Sequence, residues 1–278
     1  MGETYRLWNR YGANPVAVLA LGIILLMVVI ALAVPFFTLA DPLQQSLNGR
    51  LAPPSSSHWF GTDSMGRDIF SRILWGTRPT FFIVFVVIFI TGPVGIFVGS
   101  AAGLFGGFID RALMRVCDIF IAFPRLILAL AIAAVLGAGM WTAIWAISLT
   151  AWTPYARVAR AEAITFRQSE FVQAARMLGC SPFKLLWRHI MPLCVPSMIV
   201  RMALDAPGII LVVSGLGFLG VGIQPPTPEW GAIVAEGRSV IFEAWWVSTL
   251  PGIAILVAGL AFNISGDALR DLLAPGEE

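Results

Sequence analysis

The sequence predicts an all-α fold that crosses a membrane about six times, and three observations predict it. Of 278 residues, 58% are hydrophobic and 12% charged, where a soluble domain carries about 25% charge. A soluble core cannot absorb that apolar excess, so it faces lipid. The apolar residues fall into runs near the ~20 residues needed to cross the hydrocarbon core. Lys and Arg are spread unevenly around those runs, as the topology of an inserted chain requires.

The first run, Val16–Phe37, spans 22 residues without a charge. Ala31-Leu32-Ala33 resembles a signal-cleavage site, with Arg6 and Arg10 as a positive flank. The run is longer than the ~7–15 residues of a signal core, so a retained helix is the expectation. Thr38–Pro79 follows as the largest external loop, irregular at first around Pro42, Pro53, Pro54 and Ser55-Ser56-Ser57. From Asp68 to Trp75, Ile69, Ile73 and Leu74 alternate with Arg67, Asp68, Ser71 and Arg72. That pattern predicts a short amphipathic helix at the membrane surface.

Five more spans are expected: Thr80–Phe105, Ile119–Leu136, Met140–Tyr155, Val195–Gly222 and Val247–Ser265. In the second, Gly92, Gly95, Gly99 and Gly103 recur three and four apart, giving a small-residue face for close packing on this chain's core or on a partner. Asp118, Pro124 and Arg125 mark the start of the third, where Arg125 is expected to snorkel toward headgroups. The chain thus divides into an N-terminal tail with the first transmembrane helix (1–37), an external loop with an amphipathic segment (38–79) and a core with five transmembrane helices (80–278). With the N-terminus inside, eleven Lys and Arg are cytoplasmic and five external, apart from Arg125 and Arg201 within spans.

Arg157–Pro192, between the fourth and fifth spans, is too polar to cross and too regular for a linker. Thr165 and Gln168 have capping-box spacing. Phe171, Ala174, Ala175 and Leu178 follow one apolar helical face. Gly179 fits a helix C-terminus and Ser181-Pro182 a new N-cap and first turn. Leu185, Leu186 and Ile190 continue a second helix, which Pro192 ends or hands to the next span. The reading is an exposed cytoplasmic hairpin ringed by Arg176, Lys184 and Arg188. It either receives another protein or packs only on this chain.

Within the fifth span Arg201 and Asp205 are four apart and able to pair along one face. Charges at membrane depth face a bundle interior or water, so the pair lines a pathway or serves assembly. Pro207 frees backbone carbonyls there, as a hinge or a fixed kink. Trp230, Trp245 and Trp246 are expected at the outer interface.

Several chemistries are excluded. A P-loop needs Gly-Lys before Ser or Thr, and the single lysine, Lys184, follows Phe183. His58 and His189 lie in segments on opposite sides, without a metal-protease motif. Cys117, Cys180 and Cys194 lack metal or redox spacing. A net charge of +2 gives no sign of nucleic-acid binding. A secondary transporter stays as the more distant alternative: it would need coupling-ion sites in broken, repeated helices, no repeat is evident, and Asp205 is the candidate carboxylate deep in a span.

Gln173-Ala174-Ala175, Gly179 and His189-Ile190-Met191-Pro192 resemble the EAA loop of bacterial ABC-importer permeases. Trp59-Phe60-Gly61-Thr62-Asp63 with Gly66-Arg67-Asp68 and Ser71-Arg72 resembles the N-terminal region of the dipeptide/oligopeptide/nickel permeases. Gly217-Phe218-Leu219-Gly220-Val221-Gly222, Pro225-Pro226-Thr227-Pro228-Glu229-Trp230-Gly231, and Asn263 with Gly266-Asp267-Ala268-Leu269-Arg270-Asp271 are similar to later motifs of that family. The resemblance implies a permease subunit in a bacterial inner membrane, with both termini cytoplasmic and dipeptides or oligopeptides, or else nickel, as cargo. It implies a second homologous permease, two cytoplasmic ATPase subunits that hold ATP and magnesium, and an extracytoplasmic solute-binding protein. This chain would hold no cofactor. ATPase coupling would fall to Phe171, Gln173, Ala174, Ala175, Gly179, Lys184, His189 and Pro192. Gln173 replaces a frequent Glu, Met191 a Leu, Leu193 an Asn, and Ala274-Pro275 an Asp-Pro. Val213 stands where many members carry Glu, which removes a span-five carboxylate from consideration there.

Overall fold

The computed structural model describes residues 14–36 and 41–273, so Arg6, Arg10 and Ala274-Pro275 lie outside the described residues. Helices dominate, and the described residues contain no strand. Helix α1, Pro15–Ala33, starts where the Asn14 side chain accepts from the Val16 and Ala17 N–H groups. Its small residues Ala17 and Ala20 turn inward, while Leu19, Leu25, Leu26, Val29 and Leu32 stay exposed, as on a lipid-facing helix.

Helix α2 runs unbroken through 37 residues, Ile69–Phe105, and so passes the expected boundary at Pro79. The separate surface helix expected near Asp68–Trp75 is therefore the first turns of this span. Asp68 caps it, accepting from the Ser71 N–H at 2.8 Å. Ile69 and Ile73 pack against Ile233, Trp246 and Val247, so the apolar stripe read as lipid-facing is core.

The third expected span is broken. Helix α3, Gly107–Ile121, and helix α4, Arg125–Leu136, meet at 88°. Pro124 is the cause, because a residue before proline is driven from helical geometry. The next expected span falls on α5, Met140–Ala151, and α6, Thr153–Arg167, joined through Trp152. A short helix α7, Glu170–Met177, and a one-turn helix α8, Pro182–Leu185, follow. A π-helical turn, Leu186–Ile190, leads into α9, Met191–Phe218. Pro192 explains the turn: it has no N–H for the Arg188 carbonyl and its ring crowds that oxygen. Helices α10, Trp230–Gly237, and α11, Trp246–Leu273, complete the chain.

Among the described residues four helical runs are long and apolar enough to cross a membrane, and up to five spans result if the α3–α4 pair is one. The fourth expected span, Met140–Tyr155, has no single helix of that length.

The glycine stripe on α2 packs within this chain, Gly95, Gly99 and Gly103 on α6 and Gly92 against Met202 of α9. A Cβ on Gly99 would overlap the Ala156 carbonyl oxygen, and one on Gly103 would lie 2.7 Å from the Ala163 Cβ. Register rises together along both helices, so α2 and α6 run parallel at close range. Hence the first half of the stretch expected as a cytoplasmic hairpin, Arg157–Arg167, is core packing. Thr165 donates to the Ala161 carbonyl inside α6, and no capping box forms.

Gly99→Ala should destabilise by about 1–3 kcal/mol, because its contacts are backbone and a short side chain. Gly92→Ala, which meets only the flexible end of Met202, should cost less. Melting temperatures of the two purified variants check the ranking.

Candidate functional site

The exposed hairpin begins at Ser169, the N-cap of α7. Gln173 donates its side-chain amide back to the Gln168 carbonyl at 3.2 Å, a neutral bond within the loop. α7 closes with Gly179 at φ +78. The Gly179 N–H bonds the Arg176 carbonyl and the Cys180 N–H the Ala175 carbonyl. That is the Schellman arrangement, in which glycine takes the left-handed position at no steric cost. Ser181 then caps α8 by accepting from the Lys184 N–H.

Of the two open readings of the apolar stripe on α7, outward-facing or packed on this chain, the structure has the first. Val172 is fully buried, and with the half-buried Ala175 it joins Ala163, Leu185, Leu186 and Ile190 in one cluster. Phe171, Ala174 and Leu178 point outward, beside exposed Met177 and Phe183. Leu178 and Met177 are each 88% exposed, and Arg176, Lys184 and Arg188 border them, also exposed. His189 is half-buried and Pro192 exposed within the continuous helix. An apolar patch with a polar rim on an anchored helix is the anatomy of a protein-docking surface. Met177 and Phe183 were missed from the sequence because each lies off the apolar face that spacing picked out on its own helix, Phe171, Ala174, Ala175 and Leu178 on the first and Leu185, Leu186 and Ile190 on the second.

Deeper in the bundle, Asp205 does not pair with Arg201. Arg125 of α4 donates to Asp205 at 2.9 Å and the Tyr155 hydroxyl of α6 donates at 3.1 Å. Arg125 is therefore a bundle-facing partner, contrary to the expected headgroup anchor. One carboxylate ties α4, α6 and α9 together. The sequence offered two arginines for one aspartate and favoured the nearer along the chain; tertiary packing chose the one 80 positions away. Pro207 lies inside α9, which stays helical through it. Val213, where a family carboxylate is common, is buried among apolar side chains.

At the far end of α2 from the hairpin, Asp63, Arg67, Arg72 and Glu236 form a buried ionic network. Arg67 bonds Asp63 at 2.6 Å and Glu236 at 2.7 Å, and Arg72 bonds both acids. His58 lies 3.0 Å from Asp68. Trp230 donates to the Ile73 carbonyl and Trp246 to the Thr62 carbonyl. Both indoles are buried, so of the three tryptophans expected at the outer interface only Trp245 is exposed. Glu229 caps α10, accepting from the Gly231 and Ala232 N–H groups. It fits against α9 because Gly217 has no Cβ to displace it. Burial pushes its carboxyl up to about 7, while the two N–H bonds pull the other way.

The comparisons with known proteins show the family. Residues 95–277 match the family model described as binding-protein-dependent transport system inner membrane component. Residues 4–54 match the N-terminal TM domain of oligopeptide transport permease C. The chain is 41% identical to the probable D,D-dipeptide transport system permease protein of Escherichia coli (strain K12), over 96% of this chain and 90% of that one. It is 40% identical to the nickel transport system permease protein of the same strain, over 92% and 93%. It is 38% identical to the dipeptide transport system permease protein of Alkalihalophilus pseudofirmus, over 94% and 86%. Its fold is similar to a chain of the MetNI methionine ABC transporter in an inward-facing conformation, with TM-score 0.59, 18% identity and coverage of 73% and 97%.

Two predictions follow from these sites. Arg125→Leu should destabilise by about 1–3 kcal/mol, below the ~3–5 kcal/mol of a fully buried pair, because a quarter of the Arg125 side chain is exposed. A double-mutant cycle should show coupling of Asp205 to Arg125 and none to Arg201. For Glu229, the folded state holds the proton more tightly than the unfolded one. Its contribution is full below its ordinary value of 4.5 and is lost as pH rises to about 7. Melting temperatures from pH 5 to 8 should therefore fall more for wild type than for Glu229→Gln.

Proposed function

Because this chain belongs to the family of binding-protein-dependent transport system inner membrane components, we propose that it is a permease subunit of an ATP-binding-cassette importer carrying dipeptides or oligopeptides. Membership makes it a transport component of the inner membrane and not an enzyme. It implies an ATPase and a solute-binding protein as partners. The peptide cargo is supported by relatives named for dipeptide or peptide transport at 38–41% identity. The nickel-transport relative, 40% identical, supports nickel as the second reading.

In this reading a second homologous permease completes the pathway. Two ATPase subunits hold ATP and magnesium on the cytoplasmic side, where both termini of this chain also lie. The carrying observation is the outward-facing stripe of Phe171, Ala174 and Leu178, held from behind by Val172. Closure of the ATPases presses on that stripe. The push enters the bundle through Pro182–Phe218, a helical run of 37 residues. Asp205 sits on that run and hands the motion to α4 and α6 through Arg125 and Tyr155. A rigid lever of this kind shifts a bistable pathway between inward- and outward-open states.

The test is ATP-dependent uptake in proteoliposomes holding the chain, its partner subunits and binding protein, with labelled dipeptide or nickel offered separately. Leu178→Asp places an unpaired charge in the docking contact without touching the buried cluster. It should assemble normally yet lower dipeptide uptake at least about tenfold. Gly179→Pro should do the same. Uptake by the chain alone without ATP, or normal coupling in both variants, overturns the importer reading; uptake of nickel but not dipeptide selects the second cargo.

A further inference from the structure

With Asp205 held by Arg125, Arg201 has no carboxylate partner among the described residues. It shares a cavity of about 280 Å³ between α6, α9 and α11 with Arg270. The Arg201 Nε is buried and has no hydrogen-bond partner. Leaving such a donor empty is costly, and Arg270, itself exposed, brings a second cation to the same cavity. Val158, Val200 and Leu204 make the rest of the wall apolar, and Ser197 adds a hydroxyl. Arg201 lies one turn nearer the hairpin than Asp205, and Arg270 lies in the last turn of α11. The cavity is therefore toward the hairpin end of two membrane-spanning helices.

We propose that this cavity binds the phosphate headgroup of an anionic phospholipid. Arg201 and Arg270 donate to the phosphate oxygens, and the start of an acyl chain lies along Val200 and Leu204. The planar fork of arginine suits phosphate oxygens bidentately. Basic pockets between membrane helices recognise headgroups in this way. A zwitterionic lipid brings its own cation against the two arginines. Free phosphate offers the same oxygens but leaves the Val200–Leu204 wall uncovered. The bound lipid would clamp α9 to α11 beside the hairpin.

The full chain, purified in detergent with its accompanying subunits and stripped of lipid, is titrated separately with phosphatidylglycerol, phosphatidylcholine and inorganic phosphate. Native mass spectrometry counts bound lipid, and melting temperature follows stabilisation. One phosphatidylglycerol per chain should be retained where phosphatidylcholine is not. Its apparent affinity should fall about tenfold or more in Arg201→Gln and in Arg270→Gln, and should not change in Arg238→Gln, which removes an exposed cation elsewhere. If Arg201→Gln fails to assemble, Arg201→Lys keeps the charge without the fork and should still lose about threefold. Equal retention by wild type and the cavity variants overturns the proposal. Equal stabilisation by inorganic phosphate overturns it in favour of a free-phosphate site. The readout needs neither ATP nor solute, so it is independent of the transport reading.

Discussion

The close approach of α2 to α6 governs the rest of the molecule. Gly95, Gly99 and Gly103 strip one face of α2 of side chains, so α6 sits where their Cβ atoms would otherwise be. Without a hydrophobic driving force between helices in lipid, packing at such range is what holds a bundle together. The contact fixes α6 along its length, with Tyr155 at the level of Gly95 and Ala163 at Gly103. Both ends of α6 then acquire a role. Tyr155 reaches Asp205, and the C-terminal end delivers α7 to the surface with Val172 already anchored.

The hairpin is thereby a surface feature with a rigid root. Its inner residues belong to the same cluster as Ile96, Leu104, Ala159 and Met198, drawn from α2, α6 and α9. Its outer residues are apolar and unshielded. The second arm of the hairpin has no joint before the membrane: the π-turn absorbs Pro192 without interrupting the helix. In the proposed reading a force applied at the hairpin reaches Asp205 on α9 and passes from it to α4 and α6.

The opposite end of the molecule owes its motifs to packing. Asp63, Arg67 and Arg72, in the stretch that resembles a family signature, are buried and shared with Glu236 from α10. Such a network is weak evidence for net stability, but removal of any one charge strands the others. Gly217, Glu229, Trp230 and Gly231 perform the parallel task, seating α10 on α9 and α2 through a cap, a buried indole and two missing side chains.

The sequence by itself determined the solvent, the helical class, the family resemblance and the place of the hairpin. Each is written in local quantities: apolar run length, the stop at Gly179 and the restart at Ser181-Pro182. It also located the glycine face. Tertiary structure alone decided what that face touches, which arginine Asp205 holds, and that the apolar stripe of α7 points outward. It merged the expected surface helix into α2 and broke the third span at Pro124, a break whose 88° angle no spacing specifies. The physical reason is common to all of these. Periodicity records which residues share a face, but the partner of a face or a charge is set by helices distant in sequence, and several arrangements satisfy the same local pattern until packing selects one.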